Sequence, residues 1–349
     1  MTNKIKIIFF DTKPYDQKSF DAVNGQYGFT IKYLETHLNA DNAALAADYD
    51  VVCVFVNDVV DKEIIETFKK GRVKLIALRC AGYNNIDLKA VFGAIHVVRV
   101  PAYSPHAVAE HALALMLALN RKIPRAYNRT REGNFSINGL LGFDMYEKTL
   151  GIVGTGKIGR CLAAIAKGLG MKVLAHDHTP DADYAAAAGL EYVSLEKLYK
   201  ESDIISLHCP LTAQTRYMIN APAIAQMKNG VMLINTGRGK LIDTVALVEG
   251  LKSGKVGFAG LDVYEEESDY FFEDFSSSMI SDDVLARLLT FPNVLITSHQ
   301  AFFTQEALRN IADTTLGNIK EYFTGGYLTN EICYRCGGEC RKKQGKRCF

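Results

Sequence analysis

The chain carries almost no charge of one sign in excess. Forty basic residues stand against 39 acidic ones among 349, a formal net charge of +1. Nothing in that balance favours DNA, RNA or an anionic membrane as partner, so recognition must come from a local site. Long hydrophobic runs are missing too. The most apolar stretch, Ala112 to Leu119, falls far short of the ~20 residues that span a bilayer. The N-terminal MTNKIKIIFFDTK turns to charge before an apolar leader core forms. These absences predict a cytoplasmic protein with no membrane and no nucleic-acid partner. Cysteine is sparse until the end: Cys53, Cys80, Cys161 and Cys209 stand singly in apolar surroundings and read as buried, reduced thiols.

What is present is an ordinary globular composition, 48% hydrophobic and 23% charged. At roughly 100–200 residues per domain the length predicts two domains. Short β-rich runs open the chain: Ile5–Phe10, Val51–Val56, Lys74–Arg79 and His96–Val100. Candidate helices such as Asn42–Ala47 and Lys62–Lys70 lie between them. Near-continuous apolar strands alternating with helices predict a parallel sheet covered on both faces. Ser104-Pro105 supplies an N-cap and a first-turn proline for a long apolar helix, His106 to Asn120. A second alternating series follows: Leu150–Gly154, Lys172–Asp177, Asp203–His208, Val231–Asn235, Phe258–Val263 and Asn293–Ser298. The segment after His299 is amphipathic to about Phe323 and returns to the first domain. The fold class is therefore α/β, with two doubly wound parallel-sheet domains: a Rossmann-type cofactor domain over residues 102–299 and a flavodoxin-like substrate domain over 1–101 and 300–333. Residues 334–349 form a Cys-rich basic tail.

Gly154-Thr-Gly156-Lys157-Ile158-Gly159 follows a strand and opens a helix. In that setting the first glycine permits a tight turn, the second lets backbone approach a pyrophosphate, and the third packs helix on strand. The helix N-terminus presents N–H groups to phosphate. Asp177 ends the next strand. A carboxylate there accepts the adenosine ribose hydroxyls and repels a 2′-phosphate, which predicts NAD rather than NADP as cofactor.

Three later phrases carry a family resemblance: Asn235-Thr236-Gly237-Arg238-Gly, Leu261-Asp262-Val-Tyr-Glu-Glu-Glu267, and Ser298-His299-Gln-Ala-Phe302. With them go Arg79-Cys-Ala81-Gly82-Tyr-Asn-Asn-Ile-Asp87, Val100-Pro-Ala-Tyr103-Ser-Pro and Ser206-Leu-His208-Cys209-Pro210. In this order they resemble the D-isomer-specific 2-hydroxyacid dehydrogenases, from about Ile5 to about Cys333. Tyr270-Phe-Phe-Glu-Asp274 is similar to the fermentative D-lactate branch in particular. The resemblance implies NADH-dependent, reversible reduction of pyruvate to D-lactate, and a homo-oligomer. The alternatives are another D-2-hydroxy acid as substrate, or an NAD(H)-sensing regulator on the same fold.

Reduction of a 2-keto acid needs a proton donor at the carbonyl oxygen and a cation for the carboxylate. His299, just past a strand end, suits the first role because imidazole titrates near neutrality. Arg238 suits the second because its planar fork binds two oxygens together. Glu267 can hydrogen-bond the imidazole and favour its protonated form. The resemblance adds further roles. It places Asp262 near the nicotinamide, and Thr236, Gly237, His208, Cys209 and Pro210 at the cofactor. Ala81 and Gly82 offer backbone N–H groups to the substrate carboxylate, while Phe55, Tyr103 and Phe302 wall the pocket. Phe55 stands where some relatives carry Tyr.

Two other clusters hold residue types that could bind metal. His106 and Glu110 share a helix face, but His111 points elsewhere, so ordinary packing and polar contacts explain them. At the end, Cys333, Cys336, Cys340 and Cys348 are irregularly spaced among basic residues. They read as exposed thiols on a flexible tail, with zinc as the alternative. No metal is expected.

Overall fold

The computed structural model describes residues 4–265, 270–325, 327–335 and 347–349. The chain divides into two units, Met1–Ser104 with Phe303–Phe349, and Pro105–Phe302. Strands are numbered in chain order across both.

The first unit holds β1 (Lys6–Phe9), β2 (Thr30–Tyr33), β3 (Val51–Val54), β4 (Leu75–Leu78), β5 (His96–Val98) and β13 (Glu331–Ile332). Their order is β2-β1-β3-β4-β5-β13, parallel except for β13, which pairs antiparallel with β5. The inner strands VVCV and LIAL are buried at every residue, as a sheet covered on both faces requires. The helix Gln305–Phe323 returns to pack on the helix Pro14–Asn24 and on β4. Sequence patterning missed β2 and Pro14–Asn24. At the sheet edge TIKY buries none of its residues fully, and the helix buries only Asp16, Phe20 and Val23. Asn42–Ala47, expected as a helix, is a single 3₁₀ turn, Ala43–Ala46.

A charged residue sits inside this unit. Arg79, which follows β4, is 1% exposed. Its guanidinium lies 4.9 Å from the Phe55 ring centroid and 3.5 Å from the Asp16 carboxylate, and donates to the Asp11 carbonyl. Asp58 accepts the N–H groups of Phe55 (2.6 Å) and Leu38 (2.7 Å). Burial pushes its carboxyl up to about 6, against the lowering pull of Arg79.

The expectation of exposed tail thiols fails for two of the four cysteines. Cys333 and Cys348 are buried beside Phe92 and Phe349. Phe349 stacks on His96 with centroids 4.1 Å apart, and Glu331 accepts from the Cys348 N–H at 2.6 Å and contacts His96 at 2.5 Å. Apolar contact and a buried carboxylate therefore hold the chain end. Cys336 and Cys340 lie outside the described residues. Of the single cysteines, Cys53 and Cys80 are buried, whereas Cys161 and Cys209 are only half-buried.

The second unit holds β6 (Thr149–Val153), β7 (Lys172–His176), β8 (Glu191–Tyr192), β9 (Ile204–Leu207), β10 (Val231–Asn235), β11 (Val256–Leu261) and β12 (Val294–Ile296). All run parallel, in the order β8-β7-β6-β9-β10-β11-β12. One core packs the helices Pro105–Asn120 and Lys157–Gly168 on one face, and a second core covers the other. The strand order reverses between β6 and β9. Ligands of open α/β sheets bind outside the carboxyl ends of the strands at such a switch point.

Among the described residues no helix is long and apolar enough to cross a membrane.

Candidate active site

The loop after β6 begins at the switch point. Gly154 has φ +96°, and a Cβ there would lie 2.6 Å from the Cys209 nitrogen in the loop after β9. A Cβ on Gly159 would stand 2.0 Å from the Gly154 carbonyl, so the helix Lys157–Gly168 meets the strand only through glycine. At Gly156, its N-cap, a Cβ would meet nothing within 4 Å. That open backbone beside a helix N-terminus is where a pyrophosphate fits. Lys157 is exposed, while Ile158 packs its side chain on the core beneath.

Asp177 follows β7. One oxygen accepts the Thr155 N–H (2.6 Å) and hydroxyl (3.0 Å), and the other accepts the Thr179 N–H (2.9 Å). Burial raises its pKa, but the bonds from Thr179 and Thr155 outweigh burial and hold it below the ordinary carboxylate value. It therefore stays ionised at neutral pH and pins the glycine loop. Tyr192 steadies the same threonine at 2.7 Å. The sequence pattern singles out neither Thr155, a variable position within the glycine motif, nor Tyr192, which lies outside it.

Gly154, Gly156, His176, Asp177, His208 and Pro210 help to line a cavity of about 680 Å³, with Cys209 and Met218. His208 contacts the Ser206 hydroxyl at 2.8 Å, and burial drives its pKa down to about 4, so the imidazole is neutral. Burial pushes the Cys209 thiol up to about 11, which keeps it protonated. The Thr236 hydroxyl is buried without a hydrogen-bond partner among the described residues. An orphaned donor, an ionised carboxylate and an open glycine N-cap together fit a dinucleotide.

Arg238 follows β10. Asn235 shapes its turn, with its amide donating to the Arg238 carbonyl (2.9 Å) and its oxygen accepting from Gly237 N–H (3.0 Å). The half-buried guanidinium donates to the Gly237 carbonyl at 2.8 Å. His299 follows β12 and sits in the left-handed region, φ +49°. Its N–H donates to the Asp262 carbonyl at 2.8 Å. The Asp262 carboxylate is fully buried and accepts from the Thr297 hydroxyl (2.6 Å) and from the N–H groups of Gln300 and Ala301 (2.9 Å each). His111 contacts the same Thr297 hydroxyl at 3.0 Å. Asp262, expected at the cofactor, therefore has its carboxylate engaged in holding the His299 segment. His111 lies on the same helix as His106 and Glu110 but off their shared face, and its imidazole is committed to this network. His106 contacts Cys161 at 3.9 Å. Phe302, buried, closes the same segment, and the Phe272 ring lies 5.8 Å from the His299 ring. Glu267 lies outside the described residues.

In the first unit Phe55 follows β3, and Ala81 and Gly82 follow the neighbouring β4. Phe55 is buried against Arg79, so it serves the core as well as any pocket. Tyr103 is half-buried, and its carbonyl accepts from Asn310 at 2.8 Å.

Comparison with known proteins decides the family. Residues 113–301 match the model of the NAD-binding domain of D-isomer-specific 2-hydroxyacid dehydrogenases. The chain is 51% identical to D-lactate dehydrogenase of Escherichia coli over 94% of its length and all of the relative's. The chain belongs to the D-isomer-specific 2-hydroxyacid dehydrogenase family. Among solved structures it resembles a Chlamydomonas reinhardtii pyruvate reductase (TM-score 0.89, 46% identity, 94% and 98% of the two chains). It also resembles the NAD⁺-bound D-lactate dehydrogenase of Lactobacillus jensenii (TM-score 0.81, 33% identity, 94% and 99%). This dehydrogenase is thus an NAD-dependent enzyme, and the sensor reading gives way.

The Asp262 network predicts the result of one conservative change. Asp262→Asn keeps the shape but turns a donor toward a backbone N–H or the Thr297 hydroxyl. Lost bonds to a buried charge should cost about 2–3 kcal/mol in urea unfolding, and kcat should fall at least about tenfold as His299 loses its anchor. Unchanged kcat would refute the anchoring role.

Proposed function

We propose that the dehydrogenase reduces pyruvate to D-lactate with NADH, reversibly. The observation that carries this reading is the placement of His299. A titratable imidazole is held just past β12 by Asp262, two strands from Arg238, at the carboxyl edge of the same sheet. The likeness to D-lactate dehydrogenases supports the choice of acid.

Bound NADH supplies hydride to the carbonyl carbon of the substrate. Gly154, Gly156, Gly159 and the N-terminus of the helix Lys157–Gly168, with Lys157 and Ile158, hold its pyrophosphate. Asp177 receives the ribose hydroxyls, and His208, Cys209, Pro210, Thr236 and Gly237 line the rest. Arg238 grips the carboxylate and keto oxygen of the acid in one fork. His299 donates a proton to that oxygen as it becomes a hydroxyl, then recovers one from solvent. Glu267 pairs with the imidazole and favours its cationic form. Ala81 and Gly82 give N–H groups to the carboxylate. Phe55, Tyr103 and Phe302 crowd the substrate's third carbon, which suits a methyl group.

We also propose a homo-oligomer assembled through the segment that follows the helix Pro105–Asn120. The next helix, Ile123–Arg131, buries none of its residues. Phe135, Ile137 and Leu141 beyond it are 78–87% exposed. A folded monomer rarely shows such a run to water, so a second copy is the occupant proposed.

Three experiments test these readings. Across a panel of 2-keto acids, kcat/KM should rank pyruvate first and 2-ketobutyrate lower, since one methylene is worth about 1–3 kcal/mol. Branched acids should come last. His299→Ala should lose about 10²–10⁴-fold in kcat while retaining NADH affinity. A higher kcat/KM for 2-ketoisocaproate or phenylpyruvate would overturn the substrate assignment. For assembly, Leu141→Glu should shift the sedimentation profile toward monomer, and a wild-type profile that is already monomeric would refute the second proposal.

A further inference from the structure

The loop after β4 presents two successive backbone N–H groups, of Ala81 and Gly82, that have no acceptor among the described residues. Their direction is set from behind. In a trans peptide the carbonyl and the following N–H point to opposite sides, and the chain has no cis peptide among its described residues. The Cys80 carbonyl accepts from Val100 N–H at 3.2 Å. The Ala81 carbonyl accepts from the Arg99 guanidinium at 2.6 Å. Both carbonyls are thus held by the adjacent residues 99 and 100. Each N–H therefore points away from the group that holds its own peptide's carbonyl, and with no acceptor among the described residues both stay open to an anion.

Arg99 is itself fixed on several sides. Its guanidinium lies 5.1 Å from the Tyr83 ring centroid. Its N–H donates to the Asn330 carbonyl (3.1 Å), and its carbonyl accepts from the Asn318 amide (3.0 Å). Asn330 and Asn318 bond each other at 2.8 Å. The returning C-terminal segment thereby anchors the residue that anchors the loop. A cation on one end of a peptide group also polarises it, which strengthens the N–H at the other end as a donor.

We propose that Arg99 is a positioning residue for the substrate carboxylate: it holds and polarises the Ala81–Gly82 peptide so that the Gly82 N–H meets the anion, without touching the substrate. The inference rests on the reading of Ala81 and Gly82 as carboxylate donors. It makes part of the affinity for an acid depend on a cation the acid never contacts. Arg238 supplies direct charge, whereas Arg99 acts through the backbone.

The test is steady-state kinetics of Arg99→Met and Arg99→Lys with pyruvate, together with inhibition by oxamate, an anionic pyruvate analogue. Arg99→Met should raise KM and the oxamate inhibition constant in parallel by about 10–100-fold, the scale of one charge-assisted hydrogen bond. Its kcat should change less than about threefold, NADH affinity should hold, and Arg99→Lys should recover much of the loss. A KM within twofold of wild type, or a joint fall in kcat and NADH affinity, would overturn the proposal. A second variant replaces the Gly82 amide by an ester, which removes the N–H and weakens the Ala81 carbonyl as an acceptor. If that swap leaves KM unchanged, the carboxylate-donor reading fails and the proposal falls with it. If it raises KM while Arg99→Met does not, the donor reading stands and the role of Arg99 is refuted.

Discussion

Much of the second unit's chemistry hangs on one buried carboxylate. Asp262 joins the end of β11 to the segment after β12 through its own carbonyl and both carboxylate oxygens. His299 pays for its left-handed backbone with about 1–2 kcal/mol of strain. Hydrogen bonds to a charged acceptor contribute about 1.5–3 kcal/mol each, and Asp262 accepts three at 2.6–2.9 Å. The bonds outweigh the strain, so the fold presents an imidazole where an ordinary extended strand end would direct it elsewhere. His111 and Thr297 extend this hold to the helix Pro105–Asn120.

The cofactor loop obeys the same logic. Asp177 is fixed by Thr155 and Thr179, and in return pins the glycine turn in which Gly154 and Gly159 admit no side chain. An ionised carboxylate that is structural and also faces a nucleotide cavity serves loop geometry and cofactor choice together. In the first unit, Arg79 beneath Phe55 and Arg99 behind Ala81 place cations under the loops that follow two neighbouring strands. In both units the loops are shaped by side chains bonded to backbone, several of them residues of the motifs themselves.

This explains what was legible in the sequence. VVCV, LIAL and VMLIN are continuous apolar runs, and buried parallel strands leave that signature. The glycine motif carries its own context of strand and helix. The edge strand TIKY leaves no such signature because solvent takes one side of it. The burial of Cys348 and the packing of Phe349 depend on Phe92 and His96, far away in the chain, so no local pattern reports them. Asp262 reads as a cofactor residue from its company in the motif, but its partners lie 35 or more residues on, and only the folded chain brings them to its oxygens.

The central claim is that hydride from the nicotinamide reaches one face of the carbonyl carbon of a 2-keto acid while the protein protonates the carbonyl oxygen. It is tested most directly with NADH deuterated at both C4 hydrogens and pyruvate as acceptor, followed by chiral and mass analysis of the product. The account predicts D-lactate with one deuterium, at C2, in every molecule formed. L-lactate, or lactate without the label, would contradict it.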